Sequence, residues 1–114
     1  SPHPRLYGST GRFLGRFAIR GGLASATDAI ERMSGRSAAL LGLSDRGHIA
    51  AGQRADLVLL NPHEFIDTAT FTNPCSYTAG VYGVWVAGQQ VWTGQSSTAA
   101  RPGRVIRIGK ENLA

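Results

Sequence analysis

The chain has a single cysteine, Cys75, among its 114 residues. One thiol cannot close an internal disulfide, which excludes the disulfide-stapled scaffolds of small secreted domains. A cytoplasmic setting is the expectation that fits. No run approaches the roughly 18 apolar residues that a membrane-spanning helix needs, so no membrane partner is expected. The only methionine is Met33, and the chain opens Ser1-Pro2-His3; an upstream portion is therefore expected to be missing. Histidine is also scarce. His3, His48 and His63 form no H-x-H pair and no H-E-x-x-H motif. A zinc site usually takes three or four converging protein ligands, so no metal is expected in this chain. There is no G-x-S-x-G nucleophile elbow and no G-x-x-x-x-G-K-S/T phosphate cradle. Cys75 follows Pro74 with no basic residue close by to lower its pKa, which suits an inert thiol. Asp28, Asp45, Asp56 and Asp67 stand isolated, and nothing local pairs two carboxylates for acid/base work.

Charged residues are few, 17%, against 42% hydrophobic. That balance supplies a core and argues against disorder throughout. The net charge of +5 permits an anionic partner without requiring one. Tyr7, Tyr77, Tyr82, Trp85 and Trp92 offer stacking faces of the kind that bind single strands. Trp85 and Trp92 lie on hairpin strands beside valines, where packing accounts for them. No helix-turn-helix, zinc-finger or RRM signature occurs, and no nucleic-acid partner is expected.

What is present divides into helices first and strands second. Residues 1–43 read as helical. Phe13, Leu14 and Phe17 recur at helical spacing, and Gly21-Gly22 ends the segment. Arg12, Arg16 and Arg20 follow four apart on one face, which is either solvated or an anion-binding stripe. Ser25 with Asp28 fits a capping box. Ala26, Ala29, Ile30 and Met33 predict a buried helix face, with Gly35 in a left-handed closing turn. Ser37 opens a short turn that Gly42 stops.

From Asp45 onward β-formers and glycines take over. Leu57 to Leu60, closed by Asn61-Pro62, predicts a buried strand. Val81 to Val86 predicts a second strand, with a turn at Gly88-Gln89 and a return through Gln90-Val91-Trp92. Val105, Ile106 and Ile108 predict a last short strand, and residues 112–114 are expected to fray. The order fits an α+β chain or the junction of two domains.

Two segments carry a resemblance. Asp45-Arg46-Gly47-His48-Ile49 through Gly52 to Ala55-Asp56-Leu57-Val58, with the hairpin Val84-Trp85-Val86-Ala87-Gly88-Gln89-Gln90-Val91, resembles the region where amidohydrolase-superfamily chains leave the (β/α)8 barrel and complete a small β-domain. Pro2-His3-Pro4-Arg5-Leu6-Tyr7-Gly8, followed by Arg12-Phe13-Leu14-Gly15-Arg16, resembles the N-acyl-D-amino-acid deacylase (D-aminoacylase) branch. Ala69-Thr70-Phe71 with Asn73-Pro74, and Gly103-Arg104-Val105, agree with it. The chain departs from that branch at Thr10-Gly11, where Phe-Pro is usual.

The resemblance implies an α+β fragment: residues 1–44 as the terminal helices of the barrel and residues 45–114 as most of a small β-sandwich. It implies an intact zinc-dependent hydrolase that removes the N-acyl group from an N-acyl-D-amino acid. The metal ligands and the general acid/base of that family lie upstream of the P-H-P-R motif. None can be carried over, and Asp28, Asp45, Asp56 and Cys75 do not replace them. This chain alone is expected to hold no zinc and no catalytic residue. Its implied partners are the remainder of the barrel and the small-molecule substrate. Arg5 would lie near the barrel mouth, where its guanidinium either binds the substrate carboxylate or forms a structural ion pair. His3 is a second candidate substrate contact, or else a surface hydrogen-bonding residue. Asp56 is expected to fix a turn or to pair with Arg46 or Arg54. A rival reading is a non-catalytic structural or binding module derived from this terminal region. Without the barrel, the helix faces and one sheet edge are expected either to be covered by self-association or to leave poorly ordered helices on an ordered sheet.

Overall fold

A computed structural model describes residues 1–107 of the chain. Helix α1 runs Arg5–Thr10 and continues directly into a π-helix, Gly11–Arg20. Helices α2, Ala26–Met33, and α3, Gly35–Leu40, follow. Three strands complete the order: β1 Leu57–Leu60, β2 Val81–Val86 and β3 Gln89–Trp92.

The chain forms two compact units, each made of two stretches of sequence. One comprises Ser1–Ile30 with Leu60–Val81; the other comprises Glu31–Leu59 and the chain from Tyr82 onward. Compactness therefore does not follow the change in composition near residue 44.

In the first unit, α1 and the π-helix are built around a line of glycines. A Cβ at Gly11 would come within 2.6 Å of the Thr78 hydroxyl and 2.9 Å of the Asp67 backbone nitrogen, and one at Gly15 would overlap the Phe65 carbonyl oxygen. The segment 65–69 thus lies directly against the helix backbone, which only glycine permits. Leu14 and Ala18 are buried beside these glycines, and Phe65 joins them. The expected helical spacing is present, but Phe17 stays 40% exposed. Its ring instead carries the Arg12 guanidinium, 5.4 Å from the ring centre, a cation–π contact. The helix closes as expected at Gly21-Gly22: the Gly22 N–H donates to Ala18 and the Leu23 N–H to Phe17, with Gly22 at φ +67°. The Ser25 hydroxyl caps α2 by accepting from the Asp28 N–H at 3.0 Å.

The expected buried face of α2 is only partly formed. Ala29 is fully buried, but Ile30 is 44% exposed. Gly35 does not close α2 in a left-handed turn. It opens α3, and a Cβ there would meet the His48 ring at 2.7 Å; close approach, not backbone handedness, selects glycine. Ser37 lies inside α3 and donates its hydroxyl to the Arg32 carbonyl at 2.7 Å.

The sheet has the order β1-β2-β3. β2 and β3 pair antiparallel with Val84 opposite Trp92 and Trp85 opposite Gln90, which leaves Val91 as the extra residue of a bulge. The turn falls one residue earlier than the expected Gly88-Gln89. Ala87 and Gly88 both take positive φ, +50° and +77°, the signature of a two-residue hairpin turn whose twist matches the strands. Strand β1 forms where expected but is not buried: Leu57, Val58 and Leu59 are 38%, 56% and 56% exposed. Its sequence is apolar on both faces, yet no second layer covers it among the described residues. Val105 and Ile106 form no strand. Ile108 and residues 112–114 lie outside the described residues.

Candidate functional site

The P-H-P-R turn that opens α1 places both candidate substrate contacts. Pro4 supplies the fixed φ of a helix start. The Arg5 N–H, one of the donors a helix start leaves without a backbone partner, donates to His3 Nδ1 at 3.1 Å. His3 therefore has a hydrogen-bonding role at the helix start. Its ring stands edge-on to Phe71 with centroids 5.1 Å apart. Arg5 is exposed. Its backbone is engaged on both sides, with the carbonyl accepting from the Ser9 hydroxyl at 2.7 Å. Neither of the ion pairs that fasten the following π-helix to segment 65–69 involves the Arg5 guanidinium. Further along α1, Tyr7 meets Tyr77 with ring centroids 5.6 Å apart. The adjacent Cys75 raises the Tyr7 phenol above its ordinary range, first through its charge and then through a hydrogen bond. Cys75 itself is an exposed free thiol.

The three arginines four apart are neither a plain solvated face nor an open anion stripe. They converge on the segment that crosses the π-helix. Arg12 Nη1 lies 3.3 Å from Asp67 Oδ2, and Arg16 Nε donates to Asp67 Oδ1 at 3.0 Å. Arg20 Nη1 donates to the carbonyls of Gly15 at 2.8 Å and Phe65 at 2.7 Å, and Nη2 to that of His63 at 3.0 Å. Asp67 is buried, 8% exposed. Sequence alone left Asp67 isolated, because its partners lie 51 and 55 residues away. The arginine spacing was the available signal; no local feature named the acid.

In the second unit, Arg46 lies between two carboxylates. It makes a two-pronged contact with Asp45, at 3.1 and 3.2 Å, and its Nη1 lies 3.6 Å from Asp56 Oδ2. The hydrogen bond from Arg46 holds the Asp45 carboxyl below the usual carboxylate range, and the same bond raises the Arg46 guanidinium. Asp56 Oδ1 also accepts from the Ala87 N–H at 2.8 Å and lies 3.9 Å from Arg54. Asp56 thus does both things expected of it: it fixes the hairpin turn and pairs with the two arginines.

None of this is a metal-binding arrangement. Among the described residues no group of three or more His, Cys, Asp or Glu side chains is placed to hold a metal ion. Asp45, Asp56 and Asp67 are already engaged by arginines, so these residues do not fit a catalytic zinc. Among the described residues no helix is long and apolar enough to cross a membrane.

Comparison with known proteins gives the arrangement a context. The model of the amidohydrolase family Amidohydro_3 matches residues 1–92. The chain is 43% identical over 95% of its length to an N-acyl-D-aspartate deacylase of Alcaligenes xylosoxydans xylosoxydans, of which it covers 22%. Its structure is similar to that of a D-aminoacylase described with a binuclear metal centre, with a TM-score of 0.85 and 41% identity over 87% of this chain and 21% of that one. It is equally similar to the N-acyl-D-glutamate deacylase of Bordetella bronchiseptica in complex with zinc and a phosphonate inhibitor, at TM-score 0.85 and 37% identity over 91% of this chain and 22% of that one. The chain thus spans about a fifth of the length of the relatives it matches. On these matches, the chain belongs to the amidohydrolase family.

Proposed function

We propose that this chain is the C-terminal part of a metal-dependent hydrolase that removes the N-acyl group from N-acyl-D-amino acids. In this reading residues 1–44 are the terminal helices of a (β/α)8 barrel and residues 45–114 most of a small β-sandwich. The metal ligands and the acid/base group belong to the remainder of the barrel. Zinc is the metal proposed, on the precedent of the zinc-bound N-acyl-D-glutamate deacylase. The chain's own contribution is Arg5, which binds the substrate carboxylate, with His3 holding the turn that presents it. The observation that carries this role is the state of Arg5: its backbone is fixed by His3 and Ser9 while its side chain stays exposed. An exposed guanidinium suits two-pronged recognition of a carboxylate, and the fixed backbone spares the ordering cost of the main chain. The exposed β1 is a surface for the rest of the barrel and β-domain, or for a second copy when that remainder is absent.

The test compares two proteins. One is encoded by the full reading frame containing this segment; the other is the 114-residue chain alone. The full protein is expected to bind zinc and to release acetate from N-acetyl-D-methionine or N-acetyl-D-aspartate, while the chain alone does neither. Turnover with bound zinc in the short chain, or no deacylation by the zinc-loaded full protein, overturns the proposal. A full frame encoding no barrel favours the non-catalytic module.

A further inference from the structure

We infer that His3 is a proton-sensitive latch on helix α1: its Nδ1 fastens the start of the helix while the imidazole is neutral and releases it once the ring is protonated. The latch itself does not depend on the role proposed for Arg5; only its effect on substrate binding rests on that reading.

A helix start leaves its first backbone N–H groups without partners inside the helix. In α1, His3 satisfies two of them. Its ring Nδ1 accepts from the Arg5 N–H at 3.1 Å, and its carbonyl accepts from the Leu6 N–H at 3.1 Å. Pro4 stands at the N-cap position with no side-chain bond to give, and the first turn holds no acidic residue. An imidazole nitrogen accepts only while it carries no proton, so the bond requires the neutral ring with its hydrogen on Nε2. Protonation acts twice. It turns Nδ1 into a donor facing another donor, and it places a positive charge at the positive end of the helix dipole, next to Arg5. The first turn has no acid to offset that charge.

The ring is held from its other side by Phe71, which stands at 81° to it with centroids 5.1 Å apart. Phe71 lies on a turn closed by the Thr70 N–H to the Asn73 carbonyl and by the Asn73 N–H to the Thr70 hydroxyl, both at 3.0 Å. On the latch's own stretch the charged neighbours in sequence are Arg5 and, in the isolated chain, the Ser1 amino group. On the segment packed against α1, the titratable groups are turned to other partners. Asp67 is bonded to Arg12 and Arg16, Cys75 to Tyr7, and Tyr77 packs on Tyr7. The residue of that segment that meets the His3 ring is the uncharged Phe71.

The experiment uses the full-length protein and its His3→Asn and His3→Ala variants, read by amide exchange in peptides covering residues 4–8. Asn puts an oxygen where the imidazole has Nδ1 and is favoured at helix starts, but it takes no proton. Ala offers no acceptor. Rates are compared between proteins at one pH, which cancels the pH dependence of exchange itself. At about pH 8, where histidine is neutral, wild type and His3→Asn are expected to exchange alike, and His3→Ala about fivefold faster, the equivalent of a typical helix cap. At about pH 5, where histidine is charged, wild type joins His3→Ala while His3→Asn stays slow. The same ratio of wild type to His3→Asn at both pH values overturns the inference, as does a His3→Ala rate equal to wild type at the higher pH. A change that spreads equally to Leu14 and Ala18 makes His3 a general stabiliser and overturns it as well. The KM of the same proteins tests the other reading separately. Where Arg5 holds the substrate carboxylate, the wild-type KM rises above that of His3→Asn at the lower pH; equal KM values beside a pH-dependent exchange remove that role from Arg5 and leave the latch standing.

Discussion

Replacing Asp67 by Asn tests the central packing argument of the first unit. The substitution keeps the shape and removes the charge from a residue that is 8% exposed. It weakens two bonds, from Arg12 at 3.3 Å and Arg16 at 3.0 Å. Hydrogen bonds to charged groups are worth about 1.5–3 kcal/mol each, and breaking a fully buried pair costs about 3–5 kcal/mol. The arginines are only half-buried, with side chains 55% and 45% exposed. Once released they recover solvation, and the Asn oxygen can still accept from one of them. The loss is therefore expected near the low end, about 2–3 kcal/mol, a sizeable share of the roughly 5–15 kcal/mol of a typical domain. The assay is urea unfolding of the 114-residue chain followed by circular dichroism, with Arg16→Gln and the double variant completing a cycle. The double variant should lose clearly less than the sum of the single ones. A change in Asp67→Asn below about 0.5 kcal/mol at unchanged m-value is what an ordinary surface position gives, and would refute the claim that this carboxylate pins the 65–69 segment to the helix.

Gly15→Ala should cost at least about 3 kcal/mol in the same assay, because the new Cβ overlaps backbone rather than a movable side chain. Gly8→Ala, whose Cβ would lie 3.3 Å from that of Asp67, should change stability by less than about 1 kcal/mol, since better helix propensity offsets the tight contact. Ala87→Gly should stabilise the chain by about 0.5–1 kcal/mol, because Ala87 sits at φ +50°, where a Cβ is strained and the added unfolded-state entropy takes back only part of the gain; a loss in the unfolding midpoint would contradict this. The pH dependence follows from Asp45. Its folded pKa is lowered by Arg46 below the ordinary value of 3.8, so this contribution is present in full above that value and fades as the pH falls further through the folded pKa. Asp45→Asn should flatten the stability–pH curve in that acid window and leave it parallel to the parent at neutral pH.

How much of this was legible in the sequence depended on the range of the interaction. The Ser25 cap, the stop at Gly21-Gly22 and the existence of the 81–92 hairpin are settled by residues within a few positions of one another, and all were expected correctly. The hairpin turn was expected one residue late, because Gly88 drew attention to itself and Ala87 is not a residue that announces a positive φ. Strand β1 was expected buried, because Leu57 to Leu60 is apolar on both faces. Local sequence encodes the strand; its 38–56% exposure at Leu57 to Leu59 is set by what lies across from it. Val105 and Ile106 have strand-forming side chains and form no strand, since β-propensity expresses itself only where a partner accepts the hydrogen bonds.

The arginine stripe shows what a closer reading of spacing could have recovered. Arg12, Arg16 and Arg20 alone are ambiguous, because the same spacing serves a solvated face and a charge-paired one. The ambiguity lifts when the stripe is set beside Gly8, Gly11 and Gly15. A row of glycines weakens an exposed helix by up to about 1 kcal/mol per residue relative to alanine, so it persists only where another chain segment comes close. Arg12 and Arg16 each follow one of these glycines directly. Long basic side chains flanking such a line of contact reach over whatever lies in it, and a segment buried beneath two guanidinia must offer them a carboxylate or free carbonyls. The structure supplies both: Asp67 to Arg12 and Arg16, and the carbonyls of Phe65 and His63 to Arg20. The glycine row thus says that something crosses the helix, and the arginine row says that it is anionic. Only the identity of the acid requires the fold.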